Sequence, residues 1–202
     1  MNHLSTPSSD SLPVTARGRR TRRRILEAAE AIFGERGYES ASITHITQRA
    51  GVAQGSFYTY FPNKQAAFTE LVRSLSDDLI AEVAEQTAGA PSRIEAERRG
   101  LVAFFQFTLK HQSLYRIVRQ AEFVDEALYR AYYERIAAGY MRSVGAAMAA
   151  EELRELDVEA IAWSMMGIAD FLGMRWVLWE GRLPPDSVID SAIAMIRNGL
   201  TR

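Results

Sequence analysis

Between Gln54 and Tyr60 the chain sets an amide, a glycine, two small hydroxyl side chains and two phenols close together: Gln54, Gly55, Ser56, Tyr58, Thr59 and Tyr60. That set suits hydrogen bonding to nucleic acid better than bond-making. A glutamine can bond an adenine edge in bidentate fashion, and Ser56 can reach a base or a phosphate. Gly55 has no side chain to hold a helix away from base edges. The hydroxyls of Tyr58, Thr59 and Tyr60 can donate to phosphates. Lys64 can do the same as an ammonium, helped by the positive end of a helix that starts there. Ser42 and Thr44 offer their hydroxyls upstream. A helix built only for packing rarely carries such a mixture.

Two short helices and a tight turn would position these groups. Ser42 is a good N-cap, since its hydroxyl can accept from an unpaired backbone N–H of the first turn. Ile43, Ile46, Thr47 and Ala50 then recur at helical spacing and form an apolar stripe. Gly51 stands where the chain must turn sharply, through a left-handed conformation that costs glycine little. Val52 and Phe57 can plug the core beneath the second helix, which a major groove can accept. Phe57 and Phe61 fall on the inward face and read as core, whereas Tyr60 is open between core and phosphate. Pro62 cannot continue a hydrogen-bonded helix, and Asn63 makes a good cap for the next one.

The run Gly51-Val52-x-x-Gly55-Ser56-Phe57-Tyr58-x-Tyr60-Phe61-x-Asn63-Lys64-x-x-x-Phe68 resembles the TetR family of bacterial transcriptional regulators. The resemblance covers roughly residues 20 to 70. It implies a three-helix DNA-binding head, a larger helical body for ligand binding and dimerisation, and repression relieved by a small molecule. It also implies DNA contacts at Gln54 to Ser56, Tyr58 to Tyr60 and Lys64. One position departs from the pattern: the usual Ser or Thr cap is Ala53 here. An Ala at an N-cap costs about 1 kcal/mol relative to Ser or Thr, so the recognition helix is expected to firm up only on DNA.

Charge distribution agrees with a basic head. The formal net charge is −1, but residues 1–64 carry nine Lys/Arg against five Asp/Glu, and residues 65–202 carry fifteen against twenty. Such asymmetry suits a head that meets phosphates and a body that need not. There is no cysteine, so disulfides and thiol catalysis are excluded. The histidines His3, His45 and His111 lack metal-site spacing, and neither a phosphate-binding loop nor a nucleophile elbow occurs. The expectation is a non-enzyme without cofactor or metal. Residues 1–18 lack a signal-type apolar segment, and the apolar stretch Ile161 to Trp179 contains Asp170 and Arg175. It fits a buried helix rather than a membrane span, and a cytoplasmic location is expected. Asp170 and Arg175 read as a buried or interfacial ion pair.

The organisation expected is all-α with about nine helices: an N-terminal arm over 1–18, disordered by composition, a helix-turn-helix domain over 19–64, and a ligand-binding and dimerisation domain over 65–202. Arg17, Arg19, Arg20, Arg22, Arg23 and Arg24 read either as a solvated tail or as an arm on phosphates or in the minor groove. A first helix over 21–36 ends at Gly37, and helices follow over 64–84, 92–110, 113–120, 125–150, 157–179 and 185–201. The helix over 64–84 links head to body. Phe104, Phe107, Tyr115, Phe123, Tyr133, Met141, Trp163, Met166 and Phe171 are ordinary core singly but would together line a pocket for an apolar effector. Phe104, Phe107, Phe123, Tyr133, Trp163 and Met166 are the foremost candidates. His111, Arg116 and Arg119 could hold an anionic head group or lie on the surface. Met165, Gly167, Gly173, Met174, Trp176, Val177 and Trp179 suit a permanent homodimer interface through the last two helices. The partners expected are thus a palindromic double-stranded DNA operator, a hydrophobic small molecule and a second copy. The rival reading is a DNA-binding architectural protein that responds to no ligand.

Overall fold

The structure, a computed structural model, describes residues 15–201. Among them are nine α-helices and no strand: α1 Ala16–Ser40, α2 Ile43–Ala50, α3 Gln54–Tyr58, α4 Lys64–Thr87, α5 Arg93–Lys110, α6 Leu114–Val124, α7 Glu126–Ala149, α8 Val158–Gly173 and α9 Asp186–Leu200. A π-helical turn, Met174–Leu178, continues α8. No described helix is long and apolar enough to cross a membrane.

Helix α1 starts earlier than its apolar periodicity suggests. Thr15 caps it by accepting from the Gly18 N–H at 3.1 Å, so Arg17 to Arg24 lie on the helix and not before it. The arm expected over 1–18 otherwise lies outside the described residues. Gly37 does break α1, with φ 76° and ψ 161°, and one further turn carries Tyr38 back over the core. Tyr38 stacks on Phe33 at 5.7 Å and meets Phe68 edge-on at 5.0 Å. The head therefore closes on Ile25, Ala29, Phe33, Ile46, Phe57, Phe61 and Phe68, all almost wholly buried.

That core does not stop at residue 64. It runs along Leu71, Val72, Leu75 and Leu79 of α4 into Phe107, Ile117, Val118 and Ala121 of the body. A second core, remote from the head, joins Leu101 and Phe105 of α5 to Val144 of α7, Val177, and Ile189, Ile193, Ile196 and Leu200 of α9. Helices α8 and α9 thus help fill the body as well as offering an outer surface.

Candidate nucleic-acid interface and effector cavity

The turn between α2 and α3 forms as its residues dictate. Gly51 is left-handed at φ 62° and ψ 40°, and the Val52 N–H reaches back to Thr47 O at 3.0 Å. Ser42 caps α2 by accepting from the His45 N–H at 3.1 Å. His45 Nδ1 reciprocates, accepting the Ser42 N–H at 3.3 Å, so a histidine takes the role usually filled by Glu or Gln in a capping box. Ser42 keeps its own O–H free to donate, and Thr44 is exposed beside it. Ala53 gives α3 no side-chain cap.

On α3, Phe57 is fully buried, and Phe61 is nearly so beyond it. Gln54, Gly55, Tyr58 and Thr59 are exposed, while Ser56 and Tyr60 are half-buried. Gln54 and Tyr58 lie four apart, as do Gly55 and Thr59, so they form adjacent rows on one outward face. Nothing lies within 4 Å of where a Gly55 Cβ would stand.

Two basic side chains that sequence places near phosphates also bond within the head. Lys64 Nζ donates to Tyr38 O at 2.7 Å and Ala41 O at 3.0 Å, and sits 4.2 Å from the Tyr38 ring centre. It satisfies carbonyls where α1 ends and fixes the corner that presents Ser42 and Thr44. Arg24 does the same for α2, donating to Ala50 O and Gly51 O. Arg22 pairs with Glu70 at 2.7 Å and Arg23 with Glu27 at 2.9 Å. Of the basic run, Arg17 and Arg20 remain as exposed cations on the first turns of α1.

Helix α4 is not the sole link between head and body, because α6 grips α1 directly. Gln120 Oε1 accepts the Tyr38 N–H, Arg116 Nη1 donates to Gly34 O at 3.2 Å, and Ser113 Oγ donates to Glu30 at 2.9 Å. His111 Nδ1 also meets Glu30, at 3.0 Å. Burial would raise the Glu30 carboxyl, but hydrogen bonds from His111 and Ser113 outweigh it and hold Glu30 below the usual carboxylate range. His111 and Arg116 therefore serve this junction and not an anionic ligand. Gly34 makes the close approach possible, since a Cβ there would lie 2.5 Å from Ser113 Cβ. Gly34→Ala gains about 1 kcal/mol of helix propensity but overpacks the contact at about 1–3 kcal/mol. The expected outcome is a net loss of stability that Ser113→Gly reverses, read by urea unfolding of the single and double variants.

Behind α6 lies a cavity of about 540 Å³, enclosed by α4, α5, α6, α7 and α8. Of the nine candidates picked from sequence, Phe104, Tyr115, Tyr133 and Met166 line it. The others do not. Phe107 is buried towards the head, stacked on His111 at 4.5 Å. Phe123 is 88% exposed at the end of α6, and Trp163 is 41% exposed on the outside of α8. Aromaticity alone does not say which face of a helix a residue occupies. Sequence reasoning reaches Arg119, which lines the cavity, but not the setting of its two acids. At one end, Glu97 is almost fully buried, paired with Arg93 and hydrogen-bonded by the Tyr140 hydroxyl. At the other, Asp170 faces Tyr115, Tyr132 and Tyr133. Asp170 does not pair with Arg175, which pairs with Glu180 at the surface. The four-residue spacing of Arg93 and Glu97 is the one signal that could have flagged that pair.

The outer surface of α8 carries Trp163, Gly167 and Phe171 at four-residue spacing, with Trp179 beyond them. Phe171 and Trp179 are 67% and 64% exposed, and Met195 of α9 is also exposed. Met165, Gly173 and Val177, expected on an interface, instead face inward; Gly173 lets the Tyr115 hydroxyl approach the backbone.

Residues 25–71 match the family model described as bacterial regulatory proteins, tetR family. That segment of the head is of the tetR type. Over nearly its whole length the chain is similar to the uncharacterized HTH-type transcriptional regulator YdgC of Bacillus subtilis strain 168, at 28% identity over 92% of this chain and 95% of that one. It is also similar to the HTH-type transcriptional repressor KstR2 of Rhodococcus jostii strain RHA1, at 25% identity over 91% of each. The fold matches the crystal structure of the transcriptional regulator FadR from Bacillus subtilis in complex with stearoyl-CoA, with a TM-score of 0.77 and 20% identity over 86% of this chain and 96% of that one. The relatives matched along nearly the whole chain are HTH-type transcriptional regulators. The tetR-family match ends at Leu71, so most of the cavity lies in the part of the chain beyond it.

Proposed function

We propose that two copies of this chain, joined through the outer faces of α8 and α9, form a cytoplasmic repressor that a hydrophobic small molecule releases from a palindromic operator. One α3 touches too few bases for useful selectivity, so two must act on half-sites about 34–36 Å apart or a multiple of that. Gln54, Gly55 and Ser56 read bases, while Ser42, Thr44, Tyr58, Thr59 and Tyr60 hold phosphates. Lys64 acts by ordering the α1–α2 corner and contributes its charge nearby.

A single observation carries the regulatory part. Leu114, Tyr115, Val118 and Arg119 of α6 line the cavity, while Arg116 and Gln120 of the same helix hold α1, with Ser113 at its start. A ligand that shifts α6 therefore moves both the head's anchor and its spacing from the other head. A coupling of about 1–3 kcal/mol would change operator occupancy roughly 5- to 150-fold. An architectural protein blind to ligands has no use for such a largely apolar cavity next to its head anchor. The FadR structure holding stearoyl-CoA gives this reading support from a protein of the same fold.

The experiment is selection of bound duplexes from a random pool, then affinity by fluorescence anisotropy. Loss of a bidentate base contact costs about 1–3 kcal/mol, so Gln54→Ala should bind the selected site about 5- to 150-fold more weakly and discriminate less at one base pair per half-site. Equal binding by parent and variant would remove Gln54 from the groove.

A further inference from the structure

The cavity holds two acidic side chains in opposite situations. Glu97 is already neutralised, since Arg93 pairs with it and the Tyr140 hydroxyl donates to it. Asp170 has no such partner: no hydrogen bond or ion pair reaches its carboxylate among the described residues. Arg119 also lines the cavity and its charge favours the Asp170 carboxylate, but its hydrogen bond goes to Met174 Sδ at 3.0 Å. Around Asp170 stand Tyr115, Tyr132 and Tyr133, with Phe104 beside Tyr115 at 6.4 Å between ring centres. The Tyr115 hydroxyl is used on the Asp170 backbone carbonyl at 3.0 Å, not on its side chain. A half-buried carboxylate beside three tyrosines attracts a positive charge directly, and a ring that turns its face to the cation adds to that attraction.

We propose that this end of the cavity recognises a cationic head group, so that the effector is a lipophilic amine or quaternary ammonium compound, its apolar part lying along Val83, Leu101 and Ile136. The inference rests on the reading of the cavity as an effector site and names the chemistry of the effector. Burial holds the Asp170 carboxyl above the usual range, a cost that an arriving cation would relieve. The site also lies one turn from Gly173 and the π-helical turn, which leads to Trp179 on the outer surface. Occupancy would thus bear on α6 through Tyr115 and on the outer face through α8.

Isothermal titration of the full chain with decyltrimethylammonium, 1-decanol and decyl sulfate, each below micelle formation, separates head-group charge from chain length. Unfolding profiles in each probe confirm that the protein stays folded. Decyltrimethylammonium should bind about tenfold or more tightly than 1-decanol, and Asp170→Asn, which keeps the shape, should bring the two affinities together. If 1-decanol binds as well as the cation, if decyl sulfate binds best, or if the preference survives Asp170→Asn, the cationic assignment is overturned while the cavity remains an apolar effector site. If none of the probes binds, both readings fall.

Discussion

Glutamate in place of both Phe171 and Trp179 is expected to turn a dimer into a folded monomer that binds the operator at least about a hundredfold more weakly. These side chains are among the largest apolar groups left open to water, at 67% and 64% exposure, and neither supports a core in the single chain. In the proposed dimer a partner copy would cover them. A truncated hot-spot residue costs about 2 kcal/mol or more, so two together weaken association by about a thousandfold. Burying a carboxylate adds to that loss. Sedimentation equilibrium reads the assembly state, and an unchanged melting profile would show that the fold survives. A dimer that persists, or a monomer that binds the operator like the parent, contradicts the interface. Cutting the chain after residue 155 would be a poorer test, because Ile189, Ile193, Ile196 and Leu200 of α9 fill the second core and the body would unfold with the interface.

The second large effect comes from the buried pair under the cavity. Arg93→Met should destabilise the protein by about 3–5 kcal/mol near neutral pH, because it leaves Glu97 charged in the interior with no cation beside it and only the Tyr140 hydroxyl as a partner. For a chain of this size that is a fall in Tm of about 10 °C. The effect should depend on pH with a definite sign. Burial already raises the Glu97 carboxyl above its ordinary value of 4.5, with the Arg93 cation opposing it. A carboxyl raised in the folded state stabilises the fold fully below its unfolded value, and that contribution fades as pH rises through the folded one. Without Arg93 the folded value climbs further, so the deficit of the variant should be largest in neutral and alkaline solution and shrink in acid. Adding Glu97→Gln should recover much of it at neutral pH. Thermal unfolding of the parent, Arg93→Met and the double variant across this range decides the matter. A pH-independent deficit, or no recovery in the double variant, would mean that packing and not charge dominates here.

How far sequence reaches into this molecule depends on the range of each interaction. Gly51, Ser42, Asn63 and Pro62 act on their own neighbours, so the turn and the caps are legible from residue type and spacing. Phe57 against Tyr58 is legible too, since helical periodicity separates an inward from an outward position. Lys64 reads as a phosphate ligand, and Arg24 as part of a solvated tail or a phosphate arm, because nothing local points to another partner. Their partners are carbonyls at Tyr38 and Ala50, more than twenty residues away. His45 as a cap escapes notice because Glu or Gln is the usual signal. In the body, the aromatic population announces a pocket without saying which members line it: Phe123 and Phe104 differ in facing, not in chemistry. The solitary state of Asp170 depends on α6, α7 and α8 converging, and no local pattern encodes that.

Hydroxyl-radical footprinting of the full chain on a duplex selected from random sequence tests the central claim most directly. The expected result is two protected windows related by two-fold symmetry on one face of the duplex, with centres about 34–36 Å apart or a multiple of that. Both windows should fade together with Gln54→Ala. A single window, or protection that shows no preference for any sequence, would contradict it.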